Sequence, residues 1–161
     1  MNDFLHFLET SYTAYQAAEN ARTLLQAHGF RELDEGAPWD LQPQGKYFVV
    51  RGGSAVIAFV CGDAKKGFKI AASHLDSPCL KLKENPALSD GHCTRLNAEP
   101  YGGGIWHTFF DRPLRLAGRV VREENGALRA LPFASDFLVS LPSLAIHLDR
   151  EVNEKFAVEV N

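Results

Sequence analysis

The sequence predicts an α/β fold in which a mixed sheet with a flanking helix is followed by a β-rich second part. Three observations point there. Apolar residues recur at helical spacing between positions 13 and 28, the run at 56–60 is apolar on both faces, and shorter alternating strands set in from about residue 88. With 45% hydrophobic and 23% charged residues over 161 positions, the chain has the balance of one globular domain or two small ones, a size at which a core can be buried.

Taken in order, Tyr15, Ala18, Ala21, Leu24 and Leu25 form the helical stripe. Thr13 and Gln16 have capping-box spacing at its start, and Gly29 is a stop at its end. Residues 31–45, with Gly36, Pro38 and Pro43 among polar neighbours, read as a loop that Trp39 pins to the core. Lys46 to Arg51, Ser54 to Cys61 and Phe68 to Ser73 are β-branched or aromatic runs, the first two joined by a two-residue Gly52-Gly53 turn. The both-faced run Val56 to Val60 marks a central strand covered on two sides. Further strands are expected at His92 to Glu99, Leu114 to Val121 and Ala127 to Phe133, with Glu124-Asn125-Gly126 turning between the last two. Leu141, Leu144, Ala145 and Leu148 around Pro142 predict a short helix carrying His147, and Phe156 to Asn161 reads as the start of a strand.

The formal charge of -3 offers no basic field for nucleic acid or an anionic membrane surface. No apolar run approaches the roughly 18 residues of a membrane span, and Asp3 stands where a signal peptide is basic, so a cytoplasmic protein is expected. Cys61, Cys79 and Cys93 are odd in number and isolated, which fits reduced thiols; a zinc knuckle from these with His74 and His92 lacks the short Cys-x-x-Cys pair such sites favour.

The most informative segment is Ala71 to Pro78, where an apolar run ends in His74-Leu75-Asp76. In extended backbone, residues two apart point to the same side, so a carboxylate can hold the imidazole of a metal-binding histidine. The pattern alone is weak. Six histidines and nine aspartates in 161 residues give about a third of a His-x-Asp by chance, and the chain has two, the second being His147-Leu148-Asp149. The Gly102 to Gly104 run lacks the endings of phosphate-binding loops and suits close packing at a bend. His107 beside Trp106 suits an aromatic cluster, and Glu123-Glu124 a solvated hairpin end.

Longer strings add a resemblance. His74 to Lys83 resembles the His-Thr-Asp-Ser-Pro-Cys-Leu segment of the M18 aminopeptidase family, the family of aspartyl aminopeptidases, with Leu75 in place of the usual threonine. Tyr101 to Leu114, Leu116 to Val120 and Pro142 to Leu148 agree with the same family in the same order. The resemblance implies a two-zinc site in which His74 is a metal ligand and Asp76 orients it. It gives His147 one of two roles: crossing a subunit interface to steady the developing oxyanion, or binding metal.

It further implies that residues 1–88 begin a metallopeptidase catalytic domain and residues 89–161 a β-rich oligomerisation domain of a homo-oligomer. The family takes its remaining acidic and histidine ligands from a carboxy-terminal segment. The expected chain is therefore an amino-terminal part of an enzyme that releases acidic amino-terminal residues from peptides, inactive alone for want of that segment. Two alternatives stand beside it: a non-catalytic fragment or oligomerisation module, and a related two-metal amidohydrolase such as a deacylase.

Overall fold

The structure is a computed structural model and describes residues 2–155. The strand expected at Phe156 to Asn161 lies outside the described residues. Two helices open the chain, α1 (Asn2–Thr10) and α2 (Ala14–Ala27). Thr13 caps α2 from an extended backbone, its hydroxyl accepting from Tyr15 N at 3.2 Å and lying against the Gln16 side chain; the expected reciprocal capping box is corrected to this single cap, with Gln16 Nε2 donating to Phe133 O. At the other end Gly29 takes φ +79° and Phe30 N returns to Leu25 O at 3.0 Å, a glycine C-cap. The helix α1 was not expected; Asn20 of α2 ties its end by donating to Thr10 Oγ1 and Ser11 Oγ at 2.9 and 3.0 Å.

A three-stranded mixed sheet follows in the order β1 (Arg31–Glu32), β2 (Lys46–Arg51), β3 (Ala55–Val60), with β1 parallel and β3 antiparallel to β2. The core sits where α2 meets this sheet: Ala17 and Ala18 from the helix, and Tyr47, Phe48 and Val49 from β2. Phe48 has no exposed surface, a burial that contributes on the order of 1.5–3 kcal/mol. The doubly covered position therefore belongs to β2, and the expectation of β3 as the central strand is corrected. β3 is the outer strand of this sheet, with Ile57 and Val60 more than half exposed. The turn between them spans Gly52, Gly53 and Ser54, one residue longer than expected, because Arg51 pairs with Ala55; both glycines have positive φ. Trp39 holds its loop against β3 and not in the core as expected: it is 43% exposed, stacks on Phe59 at 6.2 Å and donates to Asp34 O at 2.8 Å.

Residues 67–78 run as irregular backbone after a 3-10 turn at Ala64–Lys66, so the strand expected at Phe68 to Ser73 is absent among the described residues. Phe68 and Ile70 there are more than four-fifths exposed. Two hairpins complete the chain. β4 (Cys79–Ser89) pairs antiparallel with β5 (Thr94–Tyr101), with a register shift between Leu82 and Ala87 where Asn85 has φ +53°. β6 (Pro113–Glu124) pairs with β7 (Ala127–Ser140) through Asn125 and Gly126, both left-handed, as a two-residue turn of this kind requires.

The chain divides into two compact units, Met1–Asp76 with Ala117–Ala134, and Ser77–Leu116 with Ser135–Asn161. Within the first, Gln16 donates to Phe133 O at 2.8 Å, and the Arg119 guanidinium lies 4.8 Å over the Tyr15 ring, fastening the middle of the second hairpin to α2. Within the second, buried Ser135 accepts from Leu116 N at 3.2 Å and donates to Phe137 O at 2.7 Å. Among the described residues no helix is long and apolar enough to cross a membrane.

Candidate functional site

His74 and Asp76 flank a bend at Leu75 in the irregular stretch before β4. Their spacing brings both side chains to one side, and His74 Nδ1 lies 3.0 Å from Asp76 Oδ1. An ionised carboxylate only accepts, so in a neutral imidazole this contact puts the proton on Nδ1 and leaves the lone pair on Nε2. The His74 side chain is 92% exposed while Asp76 is 40% exposed. The pair is thus a histidine with one nitrogen anchored and the other presented outward, the arrangement that suits one ligand of a zinc ion. A catalytic zinc takes about three protein ligands. Among the described residues no three His, Cys, Asp or Glu side chains gather as a metal-binding group. The donor set fits zinc through one ligand.

His147 belongs to the second unit, and it lies on a turn. The helix expected there is corrected to a single turn in which Leu148 N and Asp149 N both donate to Ala145 O, at 2.8 and 3.2 Å. Eight residues are too few to be helical without packing. Leu144, Ile146 and Leu148 are all exposed.

The remaining motifs behave as structural features. Glu124 sits beside Arg122 and 3.3 Å from Arg129 Nε at the hairpin end. Trp106 packs on Phe109 at 5.8 Å in a 3-10 turn that includes His107. Gly102 has φ +79°, and a Cβ on Gly104 would come within 3.1 Å of Pro78 and 3.0 Å of the Trp106 ring, so the glycines allow close packing beside the residue that follows Asp76-Ser77. Cys61, Cys79 and Cys93 form no disulfide. Two open depressions, one bordered by Asp111, Arg112 and Pro142 and one by Glu32, Asp34 and Glu35, include none of His74, Asp76 and His147.

One polar cluster has no marker in the sequence. Asp111, at φ +54°, accepts from both the backbone N–H of Ser143, at 2.9 Å, and the Ser143 hydroxyl. These two bonds hold its carboxyl below the usual range. Only pairing across 32 residues reveals it.

Comparison with known proteins then decides the family. The family model described as aminopeptidase I zinc metalloprotease (M18) matches residues 7–161. The chain belongs to the M18 aminopeptidase family. This M18 chain is 44% identical to aspartyl aminopeptidase 1 of Schizosaccharomyces pombe, a match covering 96% of the chain and 34% of the relative. It is 42% identical to a probable M18 family aminopeptidase 2 of Clostridium acetobutylicum, covering 96% and 37%. Among solved structures it resembles a chain in the cryo-EM structure of the Ape4 and Nbr1 complex, with TM-score 0.89 and 41% identity over 98% of this chain and 31% of that one. The M18 chain spans about a third of the length of the curated relatives it matches. His74, Asp76 and His147 all lie inside the matched range.

Proposed function

We propose that these 161 residues form part of a zinc-dependent aminopeptidase that removes acidic residues from peptide amino termini, and that they supply His74 as a metal ligand, Asp76 as its orienting partner and His147 as an oxyanion donor or a further ligand. One observation carries the reading: within the M18 match, His74 is held at Nδ1 by Asp76 at 3.0 Å and presents Nε2 outward. The names of the relatives, aspartyl aminopeptidases among them, support the acidic preference.

Zinc bound there supplies Lewis-acid polarisation of the scissile carbonyl and an activated water. This chain's own residues do the positioning. Asp76 fixes the His74 tautomer and ring plane, which leaves Nε2 as the metal-binding atom. His147, as imidazole or imidazolium, can donate to the carbonyl oxygen as charge develops on it. The remaining ligands come from sequence beyond these residues, so the chain alone is inactive, and the β hairpins belong to the part through which subunits of a homo-oligomer meet.

A peptide panel tests the proposal in the complete enzyme. Peptides with a free amino-terminal aspartate or glutamate should be cleaved at the first bond, and the same peptides acetylated at the amine should not. Preferred cleavage of the blocked set would replace the aminopeptidase with a deacylase-type amidohydrolase.

A further inference from the structure

Three contacts join Asp111 to the segment that leads into His147. Asp111 N donates to Leu141 O at 2.9 Å, Ser143 N donates to Asp111 Oδ1 at 2.9 Å, and the Ser143 hydroxyl donates to Asp111 Oδ2. Next to them, Phe110 and Leu141 form a parallel bridge. Both carboxylate oxygens and the backbone of one residue are thus spent on a three-residue stretch. A φ of +54° is disfavoured for any residue with a Cβ, although aspartate tolerates it better than most. Such a conformation persists where surrounding contacts hold it, and here they are the contacts to Leu141 and Ser143.

Only Leu144 separates this anchor from Ala145, whose carbonyl closes the turn over His147 by accepting from Leu148 N and Asp149 N. The direction of that turn is set at its start, because the Leu144, Ile146 and Leu148 side chains are exposed and give it little packing. We infer that Asp111 is a positioning residue for His147: it fixes the Leu141–Ser143 segment, and through it the point from which the His147 turn departs. The inference rests on the proposed role of His147 and goes beyond it, since Asp111 is assigned no contact with substrate or metal. A misplacement of about 1 Å at a reacting group can cost roughly 100-fold in rate, so an anchor four residues away can govern turnover.

The test uses the complete enzyme with Asp111→Gly, Asp111→Asn, Ser143→Ala, His147→Ala and the double variant Asp111→Gly with His147→Ala, measuring kcat, KM and bound zinc. Glycine keeps the left-handed backbone and removes the acceptor; kcat should fall about 10- to 100-fold with KM unchanged and zinc content no lower than in His147→Ala. Asparagine keeps both an acceptor oxygen and tolerance of positive φ, and should retain most of the rate. The double variant should be no slower than His147→Ala, because both changes remove the same contribution.

Wild-type kcat in Asp111→Gly, or losses that multiply in the double variant, would overturn the inference. A fall in zinc content beyond that of His147→Ala, or a rise in KM without change in kcat, would also overturn it, by making Asp111 a general stabiliser. If Asp111→Gly does not assemble, Ser143→Ala decides: a smaller fall in kcat at constant KM supports the anchor, and no fall overturns it. Full activity in His147→Ala sinks the reading of His147 and this inference together. An impaired His147→Ala beside an unimpaired Asp111→Gly sinks this inference alone.

Discussion

Asp76 can do little chemistry of its own while its Oδ1 is committed to His74, and this separates the consequences of losing either residue. Removing the imidazole takes away the proposed metal donor, so His74→Ala in the complete enzyme should abolish turnover and lower bound zinc. Asp76→Asn keeps an oxygen at the same reach but loses the charge that favours Nδ1–H. Some zinc should remain while the rate drops about 10- to 100-fold, the usual loss when an orienting partner goes. Zinc content by elemental analysis, set beside kcat, checks both. Equal zinc in wild type and His74→Ala would remove His74 from the site. The pair was legible in the sequence because its members are only two residues apart, although a bend at Leu75 and not the expected strand brings them together. The anchor at Asp111 was not, because its partner Ser143 is 32 residues away and neither residue type announces the other.

At the scale of elements, the features that sequence predicted well are those fixed by near neighbours: α2 with its cap and glycine stop, β2, and the Asn125-Gly126 turn. Those it missed depend on more distant partners or on mixed signals. β1 is two residues long and exists only through its parallel pairing with β2. β4 hides behind Lys81, Lys83, Glu84 and Pro86, the last three of which lie where its register shifts between Leu82 and Ala87. The run Phe68 to Ser73 has strand composition, yet a strand also needs a ladder partner, and composition does not provide one. The loop before β2 shows how closely an element can depend on one small residue. Tyr47 is buried, its hydroxyl accepts from Gln42 N at 2.8 Å, and its ring lies 5.7 Å from Phe59. A Cβ on Gly45 would stand 2.4 Å from that hydroxyl oxygen and 2.5 Å from the ring. Gly45→Ala must therefore displace a ring held on several sides. Overpacking of this kind costs about 1–3 kcal/mol, which lowers Tm by roughly 3–10 °C in a chain of this size. Thermal unfolding followed by circular dichroism measures it, and an unchanged Tm would show that the Tyr47 ring moves aside freely.

For the molecule as a whole, sequence pointed to the family through long strings in order, and the match over residues 7–161 bears that out. What local patterns could not supply is where His147 acts, because that depends on how chains assemble. His74 and Asp76 fall in the first compact unit and His147 in the second. A donor aimed at a developing oxyanion contributes mainly in the transition state, and its removal costs on the order of 10²- to 10³-fold in rate. His147→Ala should therefore depress kcat by that amount and leave zinc content close to wild type; a matching loss of zinc would make it a ligand. Whether it serves its own subunit or a neighbour is decided by mixing two inactive complete enzymes, His74→Ala and His147→Ala, under conditions that let subunits exchange. If His147 crosses an interface, some mixed assemblies place an intact His147 beside an intact metal site, and activity returns in proportion to the fraction of such pairs. If it acts within its own subunit, every site in the mixture still lacks one of the two residues. No recovery after exchange has been demonstrated by mass or fluorescence would then assign His147 to the site of its own chain.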